Sequence, residues 1–371
     1  MVAEVIQRVG AFEEAFAEIE GDRWVVLAGE SSFGASGARR TLAPFLDSGA
    51  VLRTVPGPLP TTEAADQLIG ELRWYDIDAI VAVGGGLVID SMKIVSLGLA
   101  TGLTSRELLS GAAEVPGEPV RTVAVPTTAG SGAERTPFAV VYADGVKHSI
   151  DDPRLLPQTA IVDPLLMRSA PKPVAAAAGL DAFAHCVESL WATGSTPESQ
   201  ALAADALSII VEKLELAVVG EDTLAQHSLA FAASTAGAAI AITRTTAAHA
   251  LSYHLTSTYG VSHGHAVALT LGALIETNGA VDNSTSTDPR GVDQVRRALD
   301  TVCRILGMES SSEGRAFMAD LIGRLGHSPS VADAVGPVDR KLWIASVNPE
   351  RLANNPRRLD ESDLLAIVRA S

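Results

Sequence analysis

Aromatic residues make up only 4% of this 371-residue chain, and cysteine occurs twice, at Cys186 and Cys303. Two distant thiols without CxxC spacing exclude a disulfide framework and a thiolate zinc site, and they suit a reducing compartment. Basic residues are also short, 28 Lys and Arg against 44 Asp and Glu, for a formal net charge of -16. No basic run offsets that excess, which argues against nucleic acid or a membrane surface as partner. Apolar runs stop short of the ~18 residues a membrane span needs. The opening MVAEVIQRVGAFEEAFAEIE carries acids where a secretory signal has positive charge. The expectation is a soluble, cytoplasmic protein without internal repeats.

The chain is 47% hydrophobic, Ala-rich, and well supplied for core formation. At ~150 residues per domain the length predicts two domains with a cleft between them. The first half alternates strand-like and helix-like segments: Trp24–Ala28, a helical patch near 36–47, Val51–Val55, Glu63–Tyr75, then Ala79–Val83 and Arg121–Val125. This is the βαβ rhythm of a parallel sheet. Two prolines in Ser169-Ala-Pro-Lys-Pro173 punctuate the chain, and helix formers dominate beyond them. The division predicted is an α/β domain over 1–172 and an all-α domain over 173–371. Within the latter, 174–275 is apolar nearly all round, like central helices of a bundle. Asp282–Asp288, DNSTSTD, reads as an exposed loop.

Two glycine-rich turns follow strands. VAVGGGLVIDSMK (81–93) puts Gly84, Gly85 and Gly86 between a buried strand and a helix, where backbone N–H groups can cradle a pyrophosphate. VPTTAGSGAE (125–134) adds the hydroxyls of Thr127 and Thr128 and another close-approach turn. Neither is GxGxxG, yet two such turns at strand ends of one sheet favour a dinucleotide at its carboxyl edge.

AGLDAFAHCVE (178–188) reads as the opening of an apolar helix with Asp181 and His185 one turn apart on one face. The pair is either a satisfied core pair or part of a larger site. Further on, His249, His254, His263 and His265 hold half of the chain's 8 histidines in a small-residue, apolar background. Burying several unpaired polar groups costs ~2 kcal/mol or more each, and a shared divalent cation removes that cost. Three imidazoles and a carboxylate form an N/O set suited to Zn²⁺ or Fe²⁺.

With GGGLVID, PTTAGSGAE, VDP (162–164), GLDAFAHCVES, GVSHG and NNPRRLDESDLLAIV in view, nearly the whole chain resembles the iron-containing, or group III, alcohol dehydrogenases. That resemblance implies the dehydroquinate synthase-like architecture, a dinucleotide-binding α/β domain before a helical one. It implies an NAD(P)H cofactor and a homodimer or larger assembly. It places metal ligands on Asp181, His185, His249 and His263, the nucleotide loop on Gly84, Gly85, Gly86 and Asp90, and nicotinamide-side contacts on Thr127, Thr128 and Lys147. His265 is then an extra, either beside a ligand or on the surface. The chain departs from the pattern at Leu87, where a serine is usual, and at Tyr253, where many members carry a histidine near the nicotinamide. Tyr253 or His254 is the substitute for proton delivery. Gly29 replaces a ribose-binding acid and makes room for a 2′-phosphate, whereas Glu30 opposes it.

The expected reaction is hydride transfer between nicotinamide and a metal-held small aldehyde or alcohol. Arg244 and Arg135 are either solvent-facing or a guanidinium clamp for an anionic head group. TRTTAAHALSYHLTSTYGVSHGHAVAL and ERTPFAVVYADGVKHSIDDPRLLPQTAIVDP look like the phosphonoacetaldehyde reductase branch, which implies reduction of phosphonoacetaldehyde to 2-hydroxyethylphosphonate. The alternative is a sugar-phosphate cyclase like dehydroquinate synthase, using NAD transiently. Its usual metal-binding glutamate and cluster of lysines are not found around Asp181.

Overall fold

The computed structural model describes residues 4–17, 23–111, 115–347 and 349–371. The acidic N-terminal stretch falls partly outside them. The chain forms two compact units, Met1–Ala170 and Pro171–Ser371. They meet two residues ahead of the expected 172/173 boundary, because Lys172 and Pro173 already open the first helix of the second unit.

In the first unit, six strands form one parallel sheet. They are β1 (Glu4–Gln7), β2 (Trp24–Gly29), β3 (Val51–Val55), β4 (Ala79–Gly84), β5 (Arg121–Pro126) and β8 (Thr159–Val162), in the order β1-β8-β5-β4-β2-β3. Side chains alternate along these strands. Val26, Ala28, Val81 and Val83 pack on one face with Phe12, Phe33 and Phe45. Val25, Leu27, Ile80 and Ala82 pack on the other with Leu68, Ile69 and Met92. Cover on both faces explains why the inner strands β2, β4 and β5 read as nearly continuous apolar runs. Several aromatics cluster on the first of these faces: Phe16 lies 5.2 Å from Phe12 and 5.5 Å from Phe45, ring centre to ring centre.

β6 (Phe138–Ala143) and β7 (Val146–Asp151) form a separate antiparallel hairpin. Its turn, Asp144-Gly145, has φ of 52° and 77°, the left-handed pair that a two-residue hairpin favours. From β2 the chain steps outward to β3, then returns to β4 on β2's other side. The ends of β2 and β4 therefore flank the switch point where doubly wound sheets bind ligands.

The second unit is helical, and no strand forms among its described residues; a single bridge joins Ser286 to Arg357. Its central helix, Lys172–Trp191, starts directly after Pro171, so AGLDAFAHCVE lies within it rather than at its opening. It packs against the helices Pro197–Val218, Thr223–Thr243 and His263–Gly279. Glycines permit the close crossings. A Cβ on Gly179 would stand 2.2 Å from Leu214 Cδ1, and one on Gly264 would stand 1.9 Å from Ala177 O.

The Asp282–Asp288 segment is more ordered than a plain exposed loop. Asp282 Oδ1 accepts from Ser284 N at 2.9 Å and Thr285 N at 2.9 Å, and Asp288 is buried in an ion pair with Arg290 at 2.6 Å. No helix among the described residues is long and apolar enough to cross a membrane.

Cys186 and Cys303 are free and buried, and burial pushes both thiols up. A thiolate reagent in mildly alkaline buffer should therefore modify neither in the native protein and both after guanidinium denaturation. Rapid stoichiometric labelling of native Cys186 would contradict its packing.

Candidate metal centre

Three helices of the second unit supply the site. Asp181 and His185 lie one turn apart on Lys172–Trp191, His249 on Ala247–Tyr259, and His263 begins His263–Gly279. Asp181 Oδ1 is 3.3 Å from His249 Nε2, 3.6 Å from His185 Nε2 and 3.9 Å from His263 Nε2. Ligand atoms of Asp181, His185 and His249 all lie within 4.8 Å of one another, on three buried side chains. The His185 and His249 rings stack with centres 4.8 Å apart, and His263 stands edge-on to His249 at 5.4 Å. His263 is the open member, its side chain 32% exposed. The close crossing at Gly264 places it here, since any side chain at that position would press Ala177 and Asp181 away.

The electrostatics fit a divalent cation. A carboxylate buried among imidazole nitrogens, with Asp181 Oδ1 and His249 Nε2 making no hydrogen bond, is a donor set turned inward on one point. Burial would push Asp181 up, but His185, His249 and His263 hold its carboxyl far below the usual range. Burial would likewise lower His249, yet Glu188 and Asp181 outweigh it and lift the imidazole to about 9. With one carboxylate and three imidazoles, the donors suit iron or zinc.

Sequence reasoning passed over Glu188. It is wholly buried on the same helix stripe, seven residues after Asp181 and three after His185, and it contacts His249 Nδ1. That i, i+4, i+7 spacing was the available signal.

Tyr253 stacks beside His263 at 6.3 Å, and burial pushes its phenol up. His254 instead packs on Trp343 and Tyr259, and burial pulls its imidazole down. His265 is neither at the surface nor among the ligands. Lying two residues beyond His263 on the helix, it is buried facing elsewhere, donates from Nε2 to Ser328 O at 2.8 Å, and stacks on His327 at 4.5 Å.

In the first unit the two glycine turns touch. Thr127 N donates to Gly84 O at 3.0 Å. Added Cβ atoms at Gly85 and Gly86 would stand 3.3 Å from Thr128 Oγ1 and 2.9 Å from Ser131 Oγ. Gly84 is required by packing, since a Cβ there would meet Val88 Cγ2 at 2.3 Å. The turns thus bring the N-terminus of the Gly86–Thr101 helix beside Thr127, whose buried Oγ1 has no hydrogen-bond partner. An orphaned hydroxyl at a helix N-terminus fits an anionic ligand group. Asp90 is differently occupied: its Oδ1 pairs with buried Lys93 at 3.1 Å, and its Oδ2 accepts from Val140 N at 3.1 Å. Lys147 is half-buried on β7, in register with Tyr142 on β6.

Residues 3–164 match the family model described as iron-containing alcohol dehydrogenase, and 175–371 match the C-terminal model of the same family. The chain belongs to the iron-containing alcohol dehydrogenases. It is 36% identical over 318 residues to the phosphonoacetaldehyde reductase of Streptomyces viridochromogenes, covering 82% of this chain and 79% of that one. It is 30% identical to the probable alcohol dehydrogenase EutG of Salmonella typhimurium, covering 82% and 75%. The crystal structure of the iron-containing alcohol dehydrogenase of Thermotoga maritima superposes with a TM-score of 0.85 at 27% identity, over 100% of this chain and 97% of that one. This member of the family is accordingly a metal-dependent, NAD(P)-linked oxidoreductase of alcohols and aldehydes. The cyclase alternative is not favoured.

Proposed function

We propose that this dehydrogenase reduces short aldehydes bearing an anionic head group, phosphonoacetaldehyde to 2-hydroxyethylphosphonate first among them. The observation that carries this reading is the backbone at Arg244. This non-glycine residue has φ 62° and ψ 176°, immediately after the Thr223–Thr243 helix and five residues before His249. Such a conformation costs about 1–3 kcal/mol and persists where its surroundings enforce it, commonly at functional sites. Here Asn354 Nδ2 donates to Thr243 O at 2.8 Å and Thr245 O at 3.0 Å, clamping both neighbours of Arg244. Arg135, half-buried on a short turn after the second glycine loop, is the other candidate cation. The named activity of the Streptomyces relative supports the same substrate class.

In this reading Asp181, His185, His249 and His263 hold the divalent cation. Gly84, Gly85, Gly86, Thr127, Thr128 and Lys147 hold the nucleotide, while Asp90 braces the loop from inside. When bound, these groups supply Lewis acidity toward the substrate oxygen and a hydride donor or acceptor. Tyr253 keeps its proton on Oη at neutral pH and offers it toward the substrate oxygen, the part a histidine plays in other members. Arg244 orients the head group by charge-assisted hydrogen bonds. Residues 1–172 are the nucleotide half and 173–371 the metal half of a cytoplasmic homodimer or larger assembly.

Steady-state oxidation of NADH or NADPH tests the substrate class. A charge-assisted bond contributes about 1.5–3 kcal/mol, so Arg244→Ala should raise KM for phosphonoacetaldehyde by about 10–100-fold, with propanal turnover little changed. Equal effects on both aldehydes, or no reduction of phosphonoacetaldehyde by the wild type, would overturn the assignment.

A further inference from the structure

The hydrogen bonds around Glu188 define a proton arrangement as well as a position. Its Oε1 accepts from Thr246 N at 3.1 Å, Thr246 Oγ1 at 2.6 Å and Ala248 N at 3.0 Å, and its Oε2 meets His249 Nδ1. The carboxylate is wholly buried, and the two backbone N–H groups and the hydroxyl converging on Oε1 give it the donor shell of an ionised carboxylate. An ionised carboxylate only accepts, so the hydrogen between Glu188 and His249 belongs to Nδ1. The opposite ring atom, Nε2, is the one 3.3 Å from Asp181 Oδ1.

We propose that Glu188 is a positioning residue that fixes His249 as its Nδ1–H tautomer, reserving the Nε2 lone pair for the cation, while its other oxygen pins the helix start carrying that ligand. This rests on the reading of His249 as a metal ligand and adds what makes it one. Metal-bound imidazoles generally donate their second N–H to a carboxylate or carbonyl, which sets ring orientation and raises ligand basicity. Here a single carboxylate does both tasks, because Thr246 and Ala248 flank the turn that presents His249.

The isosteric variant Glu188→Gln discriminates this role from packing. Two backbone N–H groups, of Thr246 and Ala248, point at Oε1 and cannot become acceptors. They claim the amide oxygen, so the amide NH₂ falls against His249 Nδ1. That nitrogen must then accept, and its hydrogen moves to Nε2, where it blocks the cation. The shape is conserved and the ligand is lost.

Zn²⁺ affinity, measured by competition with a chromophoric chelator, should fall by about 10–100-fold or more in Glu188→Gln, with the far-ultraviolet circular dichroism spectrum retained. Ser189→Ala is the control. It removes the neighbouring buried hydrogen bond to Thr243 Oγ1 at 3.0 Å without touching His249, and it should leave Zn²⁺ affinity unchanged. If Glu188→Gln does not fold, ¹H–¹⁵N spectra of Zn²⁺-loaded wild type with labelled histidine decide, with the His249 hydrogen expected on Nδ1. Wild-type Zn²⁺ affinity in Glu188→Gln, or a His249 hydrogen on Nε2, would overturn the role of Glu188 while leaving the metal centre standing. A wild type that binds no Zn²⁺ would instead overturn the ligand assignment beneath both.

Discussion

Replacing Asp181 by asparagine should strip the protein of its divalent cation and lower kcat/KM by about three orders of magnitude or more, since Lewis-acid stabilisation is worth several kcal/mol and each 1.36 kcal/mol is a factor of ten. The physical reason is that, among the described residues, Asp181 is the one anion facing all three imidazole Nε2 atoms, at 3.3, 3.6 and 3.9 Å. Asparagine keeps the shape but leaves a dication with neutral donors in a buried site, where an uncompensated charge is strongly disfavoured. The helix itself should persist, because the Asp181 side chain caps neither of its ends and the backbone is unchanged by the substitution. Metal content per chain after desalting, measured beside NAD(P)H oxidation, checks both halves of the expectation. A desalted Asp181→Asn protein with one metal per chain and undiminished turnover would sink the ligand assignment.

Gly264→Ala should be nearly as damaging, through packing. The added methyl would stand 1.9 Å from Ala177 O and 2.8 Å from both Asp181 Cβ and Asp181 N, so the two helices must separate. The obstructing atoms are backbone and the base of a side chain, which cannot swing aside, and the penalty expected is about 3 kcal/mol or more. Separation there also parts Asp181 from His263, so metal affinity should fall together with stability. Gly323→Ala is the counterpart: nothing lies within 4 Å of its new methyl, and it sits within the helix Gly314–Arg324. Relief of helical glycine should stabilise that variant by about 0.5–1 kcal/mol. Urea unfolding of the two variants beside wild type measures both signs. A Gly264→Ala protein as stable as wild type would mean that the helix crossing yields.

Where the chain was legible, one residue type carried one physical meaning. β2, β4 and β5 announced themselves as short apolar runs closed by glycine or proline, because strands covered on both faces have no polar side to alternate with, whereas edge strand β3, VLRTV, shows only valines, leucine and threonine around a polar Arg53. β1 and β8 are four residues each and carry too little pattern to stand out. The β6–β7 hairpin did carry a local signal, Asp144-Gly145, which the reading passed over. Asp90 shows the opposite failure. A carboxylate just inside a phosphate-binding turn suggests a ligand contact, yet it spends both oxygens on Lys93 and Val140 N. A sequence does not show which way a side chain on a buried helix turns once a buried lysine is packed beside it.

The metal centre divides along the same line. Helical periodicity was enough to put Asp181 and His185 on one face, because residues four apart share a face in any α-helix, while their part in a metal site came from the resemblance. His249 and His263 could be proposed from composition and family resemblance, but nothing local tells them from His254 and His265, which occupy the same helices in the same apolar background. The choice was made by helix crossings: the contact at Gly264 turns His263 toward Asp181, while His265 is carried round to Ser328 and His327. Chemical identity and periodicity are written locally, so the chain order of residues was enough to state fold class and ligand types. Which imidazoles meet, and which carboxylate lies behind one of them, depends on contacts between residues some sixty positions apart, and only the packed helices fix those.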